Sequence, residues 1–425
     1  RQHSGWPGLT GHRANQAKPV SLGLGAQNNT LMPRFLHTAD WQIGRQFSRF
    51  DADDALALAA ARLSTVSAIA ELATERQVDA VLVAGDVFDL QNVAEKTLRR
   101  LFRALEPFKG PWFIVPGNHD AALAVSVWTR ARQLGLLAPN IHLFEQTGCI
   151  EVPDAGYAVL GAALTQRHSL SDVTESFDEL HSTAGLVRLG LAHGSVAARL
   201  PDQAAAGNPI AVHRVKSANL DYLALGDWHG CLQLDPRCWY CGTPEPDSFR
   251  DNDPGHVLEV SISSPGATPQ VTAHRLARFA WRKLGAHLAL QTDLDALEAQ
   301  LQQFGPNDVV RVDLSGHLDL DGEQRLRQWQ IGERRKHRQV DSRTGGRRQK
   351  AVQQVLHHGR GAMHFPVSGN QDLSHFELLS GAFGRRAPEY RRQPHISSGR
   401  RASHDSGHDP DVSAVSGHLE KTTRG

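Results

Sequence analysis

Five short polar runs in the first 230 residues each follow an apolar stretch: Asp40-Trp41-Gln42, Gly85-Asp86-Val87-Phe88-Asp89, Gly117-Asn118-His119-Asp120, His193-Gly194 and Gly226-Asp227-Trp228-His229. Such a chain is constrained to fold with buried strands whose ends carry hard oxygen and imidazole groups. The mixture suits Mn²⁺, Fe²⁺ or Zn²⁺; an all-oxygen set would suit Mg²⁺ or Ca²⁺, and a thiolate set structural zinc. These residues predict a two-metal hydrolytic site acting on phosphorus.

Between the runs the pattern alternates β and α. A helix is expected over roughly 53–75 and a buried strand over Ala80 to Ala84, ending in Gly85-Asp86. Asn92 with Glu95 three residues on reads as a capping box for the next helix. Strands follow over Trp112 to Val115, Leu186 to Ala192 and Tyr222 to Leu225, the last two presenting His193 and Asp227. Ligands at the carboxyl ends of successive strands converge on one edge of a sheet. Alternation from His256 to His274 suggests a second, antiparallel sheet, and Ala280 to about Trp329 reads strand, helix (Thr292 as N-cap), strand, helix.

Four regions result: 1–31, a Gly-, Gln- and Asn-rich leader expected to be non-native or disordered, with Met32 as the expected start; 32–278, the catalytic domain; 279–331, part of a capping domain; and 332–425, an Arg/Gly/His-rich tail of low order. That tail is either a basic arm that holds DNA or out-of-frame translation of a GC-rich gene. The helical pattern stops abruptly after Trp329, which favours the second.

The formal net charge of +1 hides an asymmetry. Residues 332–425 hold 17 Lys/Arg against 9 Asp/Glu and residues 1–31 hold three basic residues and no acid, leaving 26 basic and 36 acidic residues, a net of −10, in between. A middle segment so acidic is no generic nucleic-acid magnet, since DNA affinity comes mainly from cations on phosphates. Metals or a partner would have to offset the charge. Four cysteines (Cys149, Cys231, Cys238, Cys241) form no disulfide framework, and no stretch resembles a signal peptide or membrane span, so a cytoplasmic protein is expected. Cys238-Trp-Tyr-Cys241 has zinc-knuckle spacing but no second pair, so structural cysteines are the expectation.

The order D-x-(H), G-D-x-x-D, G-N-H-D, H-G and G-(H)-x-H resembles the calcineurin-like metallophosphoesterase superfamily, in its DNA-repair exonuclease, SbcD-like, branch. Over residues 32 to about 331 the resemblance implies a β-sandwich flanked by helices, with a small C-terminal α/β capping domain. It implies Asp40 and His229 as ligands of one metal, Asn118 and His193 of the other, and Asp86 as the bridge. His119 would stabilise or protonate the leaving oxygen, with Asp120 orienting its imidazole. Gln42 and Asp227 depart from the pattern, each standing where His is usual. Both changes put oxygen for nitrogen, shifting preference toward Mn²⁺. The implied partners are DNA and a coiled-coil ATPase of the SMC type, with no membrane and a homodimer left open.

Blander readings apply elsewhere. Asp89 is expected to support or cap rather than ligate, and His37, His142 and His213 to be ordinary strand or loop residues. Trp41 and Trp228 are expected to pack around the site, with base stacking the bolder alternative. Gly242-Thr243-Pro244-Glu245 resembles a substrate-facing loop, though a turn forced by Gly and Pro explains it equally. Two other functions compete with a DNA nuclease: a phosphodiesterase or phosphatase acting on nucleotides or phosphoproteins, and an inactive scaffold, against which the retained Asp86, Asn118, His119 and His193 speak.

Overall fold

A computed structural model of the 425-residue chain describes residues 20–21, 32–196, 207–326 and 376–380. Two sheets stack face to face with helices outside them, the mixed α/β sandwich expected. In the first sheet, Arg34–Thr38, Ala80–Ala84, Trp112–Val115 and Ile141–Leu143 run parallel in that order. In the second, Tyr157–Gly161, Val187–His193, Tyr222–Gly226 and Cys238–Tyr240 are the parallel neighbours.

Residue alternation explains why the strands look uniformly apolar. Phe35, Leu82, Phe113 and Val115 point between the sheets to meet Val159, Leu189, Leu191 and Tyr222. Leu36, Val81, Val83, Trp112 and Ile114 point outward, under Val66, Ile69, Leu98 and Leu101 of helices Ala52–Glu75 and Glu95–Leu105. A strand covered on both faces needs apolar residues at every position, and each large one stabilises the fold by about 1.5–3 kcal/mol. Helix Ala52–Glu75 is long and apolar enough to cross a membrane by length and composition alone. Here its Leu58, Val66 and Ile69 are buried against protein.

Several expectations are corrected. Asn92 does not cap the next helix. That helix starts at Glu95 after Ala94 without a side-chain cap, because the preceding segment stays extended and buries Val93 in the core. Strands His256–Ser261 and Gln270–Arg275 are antiparallel, as read, but form no separate sheet: His256–Ser261 pairs with Arg34–Thr38 and extends the first one. Thr292 is not an N-cap either. Helix Gln291–Leu301 begins two residues before the expected Asp293, and the Asp293 carboxylate takes the N–H groups of Ala289 and Leu290, both at 2.8 Å.

The region expected as a capping unit comprises strand Ala280–Leu288, helix Gln291–Leu301 and the parallel strand Asp308–Gly316, followed by a helical stretch over 320–326. Leu294, Leu297 and Leu301 cover Leu288, Val310, Val312 and Leu314. Phe376–Ser380 pairs antiparallel with Val310–Leu314, and Val20–Ser21 parallel with Ile150–Glu151. The rest of the expected leader and tail lies outside the described residues. An aromatic cluster of Phe47, Phe50, Phe249, Phe279 and Trp281 joins the capping unit to the sandwich.

Candidate metal centre

The sandwich brings the polar runs together from both sheets rather than along one. Asp40, Asp86 and Asn118 follow strands of the first sheet, whereas His193 ends a strand of the second and Asp227 follows its neighbour. Ligand atoms of Asp40, Asp86 and His193 all lie within 4.8 Å of one another, and all three residues are buried. Asn118 Oδ1 is 2.8 Å from His193 Nε2, and Asp227 Oδ1 is 3.8 Å from the same nitrogen. The Asp227 N–H reaches both Asp40 oxygens at 3.2 and 3.3 Å.

Backbone pairing holds the first two runs against each other. Asp40 N donates to Gly85 O, Gln42 N to Asp86 O and Ile43 N to Val87 O, at 2.8–3.0 Å. This pairing forces left-handed backbone at Asp40 (φ 54°), Gln42 (49°) and Asp86 (51°), and Asp227 follows at 102°. Such conformations in non-glycine residues cost of order 1–3 kcal/mol each and persist where surrounding structure imposes them. Gly117 is needed for proximity: a Cβ there would lie 2.1 Å from Asp86 Oδ1.

The hydrogen bonds fix which atoms face the centre. His193 Nδ1 lies 2.8 Å from the Ala84 carbonyl oxygen, which can only accept, so Nδ1 carries the proton. In a neutral ring, Nε2 then presents a lone pair to the Asn118 Oδ1 lone pairs 2.8 Å away. Two acceptors that close are satisfied by a proton on Nε2, by rotation of the Asn118 amide or by a metal. Gln42 Nε2 donates to Asp86 Oδ2 at 2.7 Å, leaving Gln42 Oε1 buried without a partner. Orphaned acceptors, buried acids and an oriented imidazole fit divalent-cation ligation.

Electrostatics say the same. Burial, with Asp86 and Asp227 adding to it against His229 and His193, pushes Asp40 up to about 6. Burial alone would lower His193, but the carboxylates of Asp86, Asp40 and Asp227 and the Ala84 carbonyl carry it up to about 9. The cluster draws in positive charge.

His119 stands at the rim, partly exposed, with Nε2 3.9 Å from Asp86 Oδ2. Its N–H donates to Asp86 Oδ1 at 2.9 Å, and Nδ1 donates to the Asp89 carbonyl oxygen at 2.7 Å. Asp120 therefore does not orient this ring. Its carboxylate instead takes the N–H groups of Gly117 (2.6 Å) and Phe88 (3.2 Å), pinning two ligand loops together. Burial, reinforced by Asp86 against those N–H groups, pushes Asp120 up to about 7. Asp89 supports through its carbonyl, while its side chain pairs with Arg45 at 3.2 Å.

Sequence reasoning missed Asp247, Arg62 and Ser195, and left the role of the Thr243–Glu245 loop undecided. Asp247 Oδ2 lies 3.4 Å from His229 Nδ1 and 3.0 Å from the buried Arg62 Nη2. Although burial opposes ionisation, His229, Arg62 and Arg45 hold Asp247 well below the usual carboxylate range. This turns the other ring nitrogen of His229 to other partners, the usual way a carboxylate orients a ligating imidazole. Ser195 Oγ donates to Asp227 Oδ2 at 2.5 Å. Glu245, fully buried, accepts from Thr65 Oγ1 and from the N–H groups of Arg278 and Phe279 at 2.8–2.9 Å. The 242–245 loop is therefore an internal clamp; Thr243 Oγ1 also donates to Asp40 O at 2.8 Å. Only the Pro246-Asp247 pair after the last polar run could have signalled it.

The bland readings of several residues hold. Trp41 is buried edge-on to Trp112, its Nε1 donating to Thr38 Oγ1 at 2.8 Å, and cannot stack on a base. His37 bridges the sheets, with Nδ1 2.9 Å from Tyr222 Oη and Nε2 3.1 Å from Leu225 O. Cys238 and Cys241 point to opposite sides of the second sheet, so they share no metal.

Residues 33–200 match the family model described as calcineurin-like phosphoesterase. Among curated proteins, the SbcD component of the nuclease SbcCD from Rhodobacter capsulatus is 35% identical over 94 residues, 21% of this chain and 22% of that one. The protein of the same name in Bacillus subtilis is 32% identical over 157 residues, 34% of this chain and 38% of that one. That of Escherichia coli K12 is 23% identical over 306 residues, 64% of this chain and 74% of that one. The chain spans under half the length of the first two relatives.

Proposed function

We propose that the chain, whose residues 33–200 match the calcineurin-like phosphoesterase model, is a Mn²⁺-dependent nuclease that cleaves DNA phosphodiesters during repair. The observation that carries the metal-dependent part is the buried cluster of Asp40, Asp86 and His193, whose ligand atoms all lie within 4.8 Å of one another. The nuclease part is supported by the names of the relatives.

Two divalent cations, when bound, supply Lewis acidity and a nucleophile at neutral pH. Asp40, Gln42 and His229 would hold one, Asn118, His193 and Asp227 the other, with Asp86 shared. Asp227 belongs with the second group because it approaches His193 Nε2, and Ser195 keeps its carboxylate turned there. The orphaned Oε1 supports Gln42 as a ligand. Oxygen at both positions favours Mn²⁺ over Zn²⁺. His119, oriented by the Asp89 carbonyl, can give a proton from Nε2 to the leaving oxygen.

The acidic balance of residues 32–331 supports a partner that brings positive surface, for which an SMC-type coiled-coil ATPase is the proposal. A cytoplasmic location completes the reading, with the homodimer left open. The test sets linear DNA against a nucleotide monophosphate, with Mn²⁺, the cognate ATPase present or absent, and Asp86→Ala as the blank. DNA cleavage that strengthens with the ATPase and falls steeply with salt is expected. Intact DNA beside a hydrolysed monophosphate would overturn the nuclease reading in favour of a phosphatase.

A further inference from the structure

At the opposite ends of the ligand-bearing strands lies an open cavity of about 720 Å³, lined by Arg188, Lys216, Asp221 and Arg237 among others. We propose that this cavity binds a small organic phosphate of mononucleotide size, at a site separate from the metal centre.

The cavity's unpaired positive charge favours an anion. Both acids that line the cavity are already committed. Asp178 Oδ2 is 2.6 Å from Arg214 Nη1. Asp221 accepts the N–H groups of Arg188 (2.8 Å) and Gly266 (2.6 Å) and pairs with Arg237 at 3.2 Å. The Arg188 guanidinium, by contrast, donates only to neutral oxygens: Ser182 Oγ at 2.8 Å and the carbonyls of Leu180 and Ala218 at 3.1 Å. Three of its five donors are thus used without neutralising its charge, Nε is buried, and one Nη1 hydrogen is left for a ligand. Lys216 has no carboxylate within ion-pair distance among the described residues. The cavity thus keeps two uncompensated cations, one a planar guanidinium suited to phosphate oxygens.

Size and lining set the rest of the ligand. The volume exceeds what an inorganic anion fills and lies in the range of small-molecule sites. Leu186, Val215, Leu220 and Pro265 add apolar surface beside the cations. Two strands run from this site to the metal centre. Arg188 sits near the start of strand Val187–His193, which ends in His193. Asp221 immediately precedes strand Tyr222–Gly226, which leads to Asp227. At about 3.3 Å per residue the separation is roughly 17 Å.

The test is calorimetric titration of the full chain with dAMP in EDTA, which removes the metal centre as a competing phosphate site. One dAMP per chain is expected, bound more tightly than inorganic phosphate, with deoxyadenosine weaker still. Lys216→Glu should weaken dAMP at least tenfold while leaving Mn²⁺-dependent phosphoesterase activity unchanged. Arg188→Gln should weaken it further. No binding in EDTA, binding indifferent to Lys216→Glu, or dAMP no tighter than inorganic phosphate would each overturn the proposal; none of these bears on the phosphoesterase reading.

Discussion

The metal end of the sandwich and the capping unit are built by opposite rules. In the capping unit, helix Gln291–Leu301 lays a leucine face on alternate strand residues. Charged residues there pair at the surface, as Arg282 with Asp308 and Arg325 with Asp295, where such pairs contribute about 0–1 kcal/mol. Its one left-handed residue between 280 and 326 is a glycine, Gly316. The metal end buries Asp40, Asp86, Asp120 and His193 together and holds four non-glycine residues at positive φ. Local rules are obeyed where only folding is at stake and broken where groups must be aimed at a cation.

The largest expected effect that would sharpen this contrast is Asp86→Ala, which should abolish both metal binding and hydrolysis; metal analysis with an activity assay reads both. His119→Ala should separate them, lowering the rate about 10²–10⁴-fold, as loss of a general acid does, with metal content retained. Equal metal loss in the two variants would break the division of roles. In the capping unit, Leu297→Ala should cost about 2–5 kcal/mol of stability in denaturant titration and leave metal content alone.

Asp247→Asn is expected to weaken metal affinity about 10–100-fold by loosening the orientation of His229, measured by metal titration with the fold checked by circular dichroism. The smallest effect concerns Asp54, in the first turn of helix Ala52–Glu75, whose two carboxylate oxygens are buried without hydrogen-bond partners. Burial, with Asp51 and Asp53 nearby, pushes it up to about 8, against about 3.9 in an unfolded chain. The folded state holds the proton more tightly, so stability is full below about pH 4, falls as pH rises toward 8 and then levels. Asp54→Asn should flatten that slope and add about 1–3 kcal/mol at pH 8; an unchanged slope would assign the pH dependence elsewhere.

Strands and ligand runs were readable because each leaves a local mark. Ala80–Ala84 and Trp112–Val115 are continuous apolar runs that end at a turn, and the structure places them where the residues said. What escaped depends on distant partners. Nothing near Asp247 in sequence announces Arg62, and nothing near Asp120 shows that its carboxylate is taken by Gly117 and Phe88 rather than by the adjacent histidine. Helix starts failed for a related reason: Asn92 is a good cap in isolation, but burying Val93 outweighs it. Pairing across the sheets likewise decided that His256–Ser261 joins the first sheet.

Glu245 gathers the hydroxyl of one helix and two successive amides at the doorway to the capping unit. In hydrogen–deuterium exchange, those two amides, Arg278 and Phe279, should report on the sandwich rather than on the unit they introduce. Should residues 280–326 exchange faster than the sandwich, these first two amides are expected to stay protected until the sandwich itself opens. Exchange there then marks the boundary between two cooperative units, set one residue before strand Ala280–Leu288 begins.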